Sequence, residues 1–177
     1  FITRFLQRIE QLFQGIQPRT ALELGCGEGF VSGYLQHQNP SITFHGVDQD
    51  AGQLQRMNKL FPAITTHQAD IARPLSELGM PKYDLVMALE VLEHLPHPEK
   101  TLAAMRALTD KYVLISVPWE PWFQLSNLLR GRNINRLGND PEHINHWNKH
   151  GIIKLIQKQF SVDQAVISFP WVIILAR

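Results

Sequence analysis

Leu22-Glu23-Leu24-Gly25-Cys26-Gly27-Glu28-Gly29 is the stretch on which the fold turns. The apolar run at 20–24 reads as a strand, and Val31, Tyr34 and Leu35 beyond it make a short helical stripe. Glycines between a strand and a helix let the backbone turn tightly and approach a ligand closely. The spacing argues against two phosphate-binding classes. A dinucleotide fingerprint needs G-x-G-x-x-G, but position 30 is Phe and the third glycine comes early, at Gly29; a Walker loop needs Gly-Lys followed by Ser or Thr, which is absent. Glu23, at the strand end, would repel a pyrophosphate and attract an ammonium group, so the expected ligand is cationic at that end.

Outward from the loop, Asp48 closes the next apolar run in Gly46-Val47-Asp48, at roughly the 20-residue separation from which a carboxylate reaches ribose hydroxyls. Asp70 follows a third run in Gln68-Ala69-Asp70-Ile71. Runs at 42–47, 64–69, 83–89 and 111–117 alternate with helical stripes, one carrying Leu54, Met57 and Leu60 or Phe61, another opening at Pro98 with Leu102, Met105 and Leu108. That alternation predicts a parallel sheet with crossover helices, and it puts all three carboxylates at carboxyl ends of strands, the edge where such sheets bind ligands. Asn148 reads as the N-cap of a last long helix burying Ile152, Leu155, Ile156 and Phe160. Runs at 161–167 and 171–176, separated by Phe169-Pro170, are expected to pair antiparallel.

Composition bounds the rest. The 177 residues are 44% hydrophobic and 19% charged, with net charge +1 and one cysteine. This suits a single domain over 1–177 and excludes disorder as the main state, a disulfide scaffold and a cysteine-based zinc site. The near-neutral balance offers no long-range pull toward nucleic acid or an anionic membrane, and no apolar run approaches a membrane span. A reducing, cytoplasmic location is expected. Residues 1–15 read as an amphipathic helix that packs on the domain.

Four ordered motifs, the glycine loop, Gly46-Val47-Asp48, Gln68-Ala69-Asp70, and Tyr83-Asp84-Leu85-Val86 followed by Glu90-Val91-Leu92-Glu93-His94-Leu95, resemble those of class I S-adenosylmethionine-dependent methyltransferases. The resemblance implies a Rossmann-like α/β fold: a seven-stranded, mostly parallel sheet with its last strand antiparallel beside the fifth, and helices on both faces. It implies S-adenosylmethionine as cofactor. Glu23, Gly25, Cys26 and Gly27 would hold the methionine portion, Asp48 with Gln49 the ribose, Asp70 with Ile71 the adenine, and Leu89 with Glu90 would shape the pocket. The milder readings are that Asp48 caps a helix, Cys26 packs, and Asp84 is structural.

Methyl transfer from a sulfonium needs alignment and a place for the acceptor's proton. Glu90, Glu93 and His94, at i, i+3 and i+4, would share one side of a helical turn. Glu93, His94 and the downstream His143 are the expected catalytic residues. E-x-x-E-H is similar to a metal-holding cluster of some ubiquinone-pathway O-methyltransferases and small-RNA 2′-O-methyltransferases, but many relatives with this segment bind no metal, and a divalent metal is not the favoured reading. His37, His45, His67, His97 and His150 read as solvated or capping residues. Residues 118–147 are expected to cover the substrate: Trp119, Trp122, Phe123 and Leu125 to Leu129 as an apolar wall or simply a packed helix, Arg130, Arg132 and Arg136 as an anion site or a solvated loop. The expected acceptor is a small, partly apolar molecule, with oxygen preferred and no nucleic acid partner. The alternatives are a small-RNA methyltransferase, a non-catalytic cofactor-binding domain and an NAD-dependent oxidoreductase.

Overall fold

Alternate residues along a strand point to opposite faces, so a sheet covered on both sides needs apolar residues at nearly every position. β4 meets that demand: Leu85 and Met87 face one side, Val86 and Ala88 the other, all fully buried. In the computed structural model, which describes residues 1–73 and 79–177, the strands are Thr20–Leu24 (β1), Thr43–Asp48 (β2), Thr65–Gln68 (β3), Tyr83–Leu89 (β4), Thr109–Pro118 (β5), Val162–Ser168 (β6) and Trp171–Ala176 (β7). They form one sheet in the order β3-β2-β1-β4-β5-β7-β6. The first five are parallel, and β7 runs antiparallel between β5 and β6. Strand order reverses between β1 and β4, which opens a crevice at their carboxyl ends.

The helices are Ile2–Ile16 (α1), Phe30–Gln38 (α2), Ala51–Leu60 (α3), Pro98–Leu108 (α4), Trp122–Leu129 (α5) and Lys149–Ile156 (α6). α1, α2 and α3 bury Ile9, Phe13, Leu35 and Met57 against one face of the sheet, while α4 and α6 bury Leu102, Met105, Ile152 and Ile156 against the other. Each such side chain contributes roughly 1.5–3 kcal/mol. α1 packs as its stripe predicts, with Phe13 stacked on Phe44 and Phe5 on Trp171.

Several expected boundaries move. β2 runs on to Asp48 because Asp48 pairs with Gln68. β5 starts early, where the Thr109 hydroxyl donates to the Tyr83 carbonyl, and ends late, where Pro118 pairs with Trp171. β6 starts at Val162, paired with Ala176, although Ser161 before it still exchanges backbone hydrogen bonds with Arg177. Asn148 does cap α6, accepting from Gly151 N–H, but the helix ends at Ile156 and Phe160 is buried after a turn.

The stretch from Arg130 to Asp140 is folded back on α5. It includes a 3-10 turn at Ile134–Arg136, the Asn127 amide donates to the Gly138 carbonyl, and Arg132 N–H donates to the Asn127 carbonyl. The far end closes where Trp119 bridges Trp147. Among the described residues, no helix is long and apolar enough to cross a membrane.

Candidate active site

The glycine loop is sewn onto the end of β2. Gly25 and Cys26 donate to the Val47 carbonyl, and Gly27 N–H donates to Asp48 Oδ2 at 2.8 Å. Gly25 sits at φ +68°, and a Cβ there would come within 2.7 Å of Val91, so glycine is required on both counts. Asp48 does not cap α3; Asp50 does, while Asp48 Oδ1 accepts from Asp50 N–H.

A cavity of about 500 Å3 opens at this edge. Of the expected cofactor residues, Gly25, Asp48, Gln49, Asp70, Ile71 and Glu90 line it. His94, Gln53, Val91, Leu95 and Glu142 line it too. Val91 and Leu95 lie within the quoted E-V-L-E-H-L segment, and Gln53 lies one turn into the helix after Asp48; Glu142, far along the chain, carried no such signal.

Glu23, Cys26, Gly27 and Leu89 are not among the lining residues. The pleat turns Glu23 away from the cavity, beneath α2, where it is buried and accepts from the Ser32 hydroxyl. Loss of hydration there pushes its carboxyl up to about 7. The Glu23 carboxyl thus lies beneath the loop, bonded to Ser32 rather than set in the cavity wall. Cys26 and Leu89 are buried in the core around α1–α3, and burial pushes the Cys26 thiol up, as suits packing.

Glu90, Glu93 and His94 do not share one helical turn. The 3-10 turn spans only Leu92–His94, and Glu90 precedes it with φ +57°. Glu90 is thereby turned toward Ser116, whose hydroxyl donates to its carboxylate at 2.7 Å. Glu93 points inward, 1% exposed, and among the described residues neither of its oxygens has a hydrogen-bond partner. Burial, then the neighbouring Glu90 charge, pushes its carboxyl upward.

The downstream segment clamps this turn. Ile144 and Asn145 N–H both donate to the Glu93 carbonyl, and the Asn145 side chain donates to the Leu92 and Leu95 carbonyls. His143 is thereby brought against His94, ring centroids 4.9 Å apart. His94 Nδ1 is 3.0 Å from the Glu142 carbonyl, which fits donation from Nδ1 and leaves Nε2 as an acceptor. Burial lowers the His143 pKa, with the neighbouring His94 acting in the same direction. One ligand atom from each of Glu93, His94 and His143 lies within 4.8 Å of the others. Glu90 is not in this group.

Of the histidines expected to be solvated or capping, His97 pairs with Glu99, whereas His45 and His67 are partly buried and stacked, ring nitrogens 3.1 Å apart. Asp84 holds Arg19 N–H and Lys111. Glu120, which the sequence did not single out, is buried just beyond β5, one of its oxygens lacking a partner among the described residues.

The sequence matches a family described as a methyltransferase domain over residues 1–160. The chain belongs to that family, as a class I S-adenosylmethionine-dependent methyltransferase. S-adenosylmethionine is accordingly the cofactor of this methyltransferase domain, and the oxidoreductase alternative falls away. Ubiquinone biosynthesis O-methyltransferases are similar to it: that of Bordetella avium is 27% identical over 106 residues, 58% of this chain and 43% of the relative. That of Pseudomonas paraeruginosa is 30% identical over 97 residues, 53% of this chain and 41% of the relative. The match thus spans less than half the length of these relatives.

Solved structures share the methyltransferase fold. The plantazolicin methyltransferase BpumL, in complex with SAH, aligns with a TM-score of 0.77 at 16% identity, covering 99% of this chain and 84% of that one. The magnesium protoporphyrin IX methyltransferase of Synechocystis PCC 6803, with bound SAH, aligns at 0.75 and 18%, covering 98% and 81%.

Proposed function

We propose that this domain transfers the methyl group of S-adenosylmethionine to an oxygen of a small, partly apolar acceptor. The observation that carries this reading is the acid-rimmed cavity, with Asp48, Asp70, Glu90 and Glu142 on its wall and no lysine or arginine lining it, opening beside His94. A cationic sulfonium suits such a wall, and a pyrophosphate does not. Gly25 and Asp48 would hold the amino-acid and ribose portions, with Asp70 and Ile71 on the base. The names of the similar O-methyltransferases support oxygen as the atom methylated.

In the reaction the acceptor oxygen attacks the methyl carbon in line, the carbon–sulfur bond breaks, and its electron pair stays on sulfur. The domain's task is to align the two reactants and take the acceptor's proton. His94, on the cavity wall, and His143, packed against it, are the bases proposed for that proton. Glu93, buried beneath them with its carboxyl pushed upward, is the group to which that proton could be passed on.

A second reading adds a divalent metal, favoured by the orphaned Glu93 oxygens and the buried, unpartnered His143 Nδ1. A carboxylate and two imidazoles suit Mg, Mn, Fe or Zn. Bound there, a metal would lower the pKa of an acceptor hydroxyl.

The test pairs calorimetry with turnover. S-adenosylmethionine is expected to bind, NAD not to bind, and phenolic acceptors to yield O-methyl products. His143→Ala would abolish turnover while leaving cofactor affinity intact. Full turnover in excess chelator, with no metal in the purified protein, would remove the second reading. Methylation of an RNA terminus alone would replace the small-molecule acceptor.

A further inference from the structure

Glu90 keeps its place in the cavity wall under restraint. Its φ of +57° is a left-handed conformation that a glutamate holds only where its surroundings enforce it. Ser116 on β5 supplies that enforcement. Glu90 N–H donates to the Ser116 carbonyl at 3.2 Å and to the Ser116 hydroxyl oxygen at 3.1 Å, and the same hydroxyl donates to the Glu90 carboxylate at 2.7 Å. Ser116 is itself fully buried, paired with Leu89 on one side and Ile173 on the other. One fixed residue in the middle of the sheet thus ties down both the backbone and the side chain of one acid.

That acid stands between the glycine loop and the proposed base. Val91, the next residue, presses on Gly25, and His94 ends the turn that follows. The other acids of the wall are engaged or outlying. Asp48 accepts from the Gly27 and Asp50 N–H groups, Asp70 accepts from Ala72 N–H and pairs with Arg73, and Glu142 is exposed. Burial opposes charge on Glu90, while the Ser116 hydroxyl and the Trp171 indole favour it.

In S-adenosylmethionine the sulfur joins the amino-acid chain to the ribose, and its methyl group has to face the acceptor. With the loop on the first, Asp48 on the second and His94 beside the third, the acid between loop and base is the one that meets the sulfonium. We propose that Ser116 is a positioning residue that holds the Glu90 carboxylate as the counter-charge of the sulfonium, so that the site prefers S-adenosylmethionine to S-adenosylhomocysteine. The preference follows from the charge balance of the transfer: the methyl carbon bonds to the acceptor oxygen, the electron pair of the broken bond stays on sulfur, and the sulfur becomes neutral. A carboxylate facing it then loses its attraction, which favours release of the product. This inference rests on the reading of the cavity as the cofactor site.

The experiment is calorimetric titration of the protein with S-adenosylmethionine and, separately, with S-adenosylhomocysteine. Glu90→Gln keeps the shape and the bond from Ser116 but removes the charge. It should weaken S-adenosylmethionine about tenfold and change S-adenosylhomocysteine by less than about twofold. Ser116→Ala should shift the ratio of the two affinities in the same direction, by about fivefold. The double variant should lose no more than Glu90→Gln alone, because Ser116 acts through Glu90. Melting temperature without ligand identifies a variant that has merely unfolded, and if Ser116→Ala does so, Glu90→Gln still decides the matter through the ratio. Equal losses for both ligands, or no loss for either, would overturn the counter-charge, and additive losses in the double variant would overturn the role of Ser116. A parent protein that binds neither ligand would remove the cofactor reading and this inference with it, whereas parent binding with an unchanged ratio in the variants removes this inference alone.

Discussion

Asp48 shows how one carboxylate serves two purposes. It closes β2 and accepts the Gly27 and Asp50 N–H groups, so it shapes the glycine loop as well as facing the cavity. A hydrogen bond to a charged group is worth roughly 1.5–3 kcal/mol, so Asp48→Ala should weaken S-adenosylmethionine binding at least about tenfold by calorimetry. Unimpaired binding would remove Asp48 from the site. Glu23 answers to pH instead. Its carboxyl is raised from 4.5 to about 7, so the unfolded chain releases this proton first as pH climbs. The stability it contributes is complete below 4.5 and is lost as pH rises toward 7, by about 3 kcal/mol at about 1.4 kcal/mol per pH unit. Glu23→Gln should therefore lose less melting temperature than the parent between about pH 5 and about pH 7.5, and parallel slopes would contradict this. The sequence marked both acids; it did not say which of them meets the cavity, because a strand-end residue commits to a face only when the neighbouring helix is packed.

At the scale of elements, the insertion between β5 and α6 is held by close backbone approach. Gly138 has φ +82°, and a Cβ there would fall 2.0 Å from the Gln124 carbonyl oxygen. Gly138→Ala should unpack the fold-back on α5. Limited trypsinolysis would read this as faster cleavage after Arg130, Arg132 and Arg136, with cofactor affinity unchanged. α1 is held by burial: Phe13 is 1% exposed against Phe44, so Phe13→Ala should cost roughly 3–5 kcal/mol in denaturant unfolding. The amphipathic stripe of α1 was legible because its apolar side is the buried side. α5 was not legible in the same way, because its leucines at helical spacing face outward and only its packed neighbours reveal that.

For the whole molecule, β7 is the decisive strand. It lies between β5 and β6 and pairs with both, so the carboxyl-terminal residues are interior to the sheet. Deleting 171–177 should leave insoluble or unfolded protein; a soluble truncated chain that still binds cofactor would refute the topology's importance. The sequence by itself determined the alternating architecture, the glycine turn and the row of acids at the strand ends, because those follow from local periodicity and steric freedom. Tertiary structure alone decided that Glu23 lies beneath the loop, that Glu90 turns to Ser116, and which contacts carry the expected His143 to Glu93. That last meeting depends on backbone hydrogen bonds from Ile144 and Asn145 to the Glu93 carbonyl, a contact between segments distant in the chain, and no local pattern encodes which carbonyl a distant N–H will find.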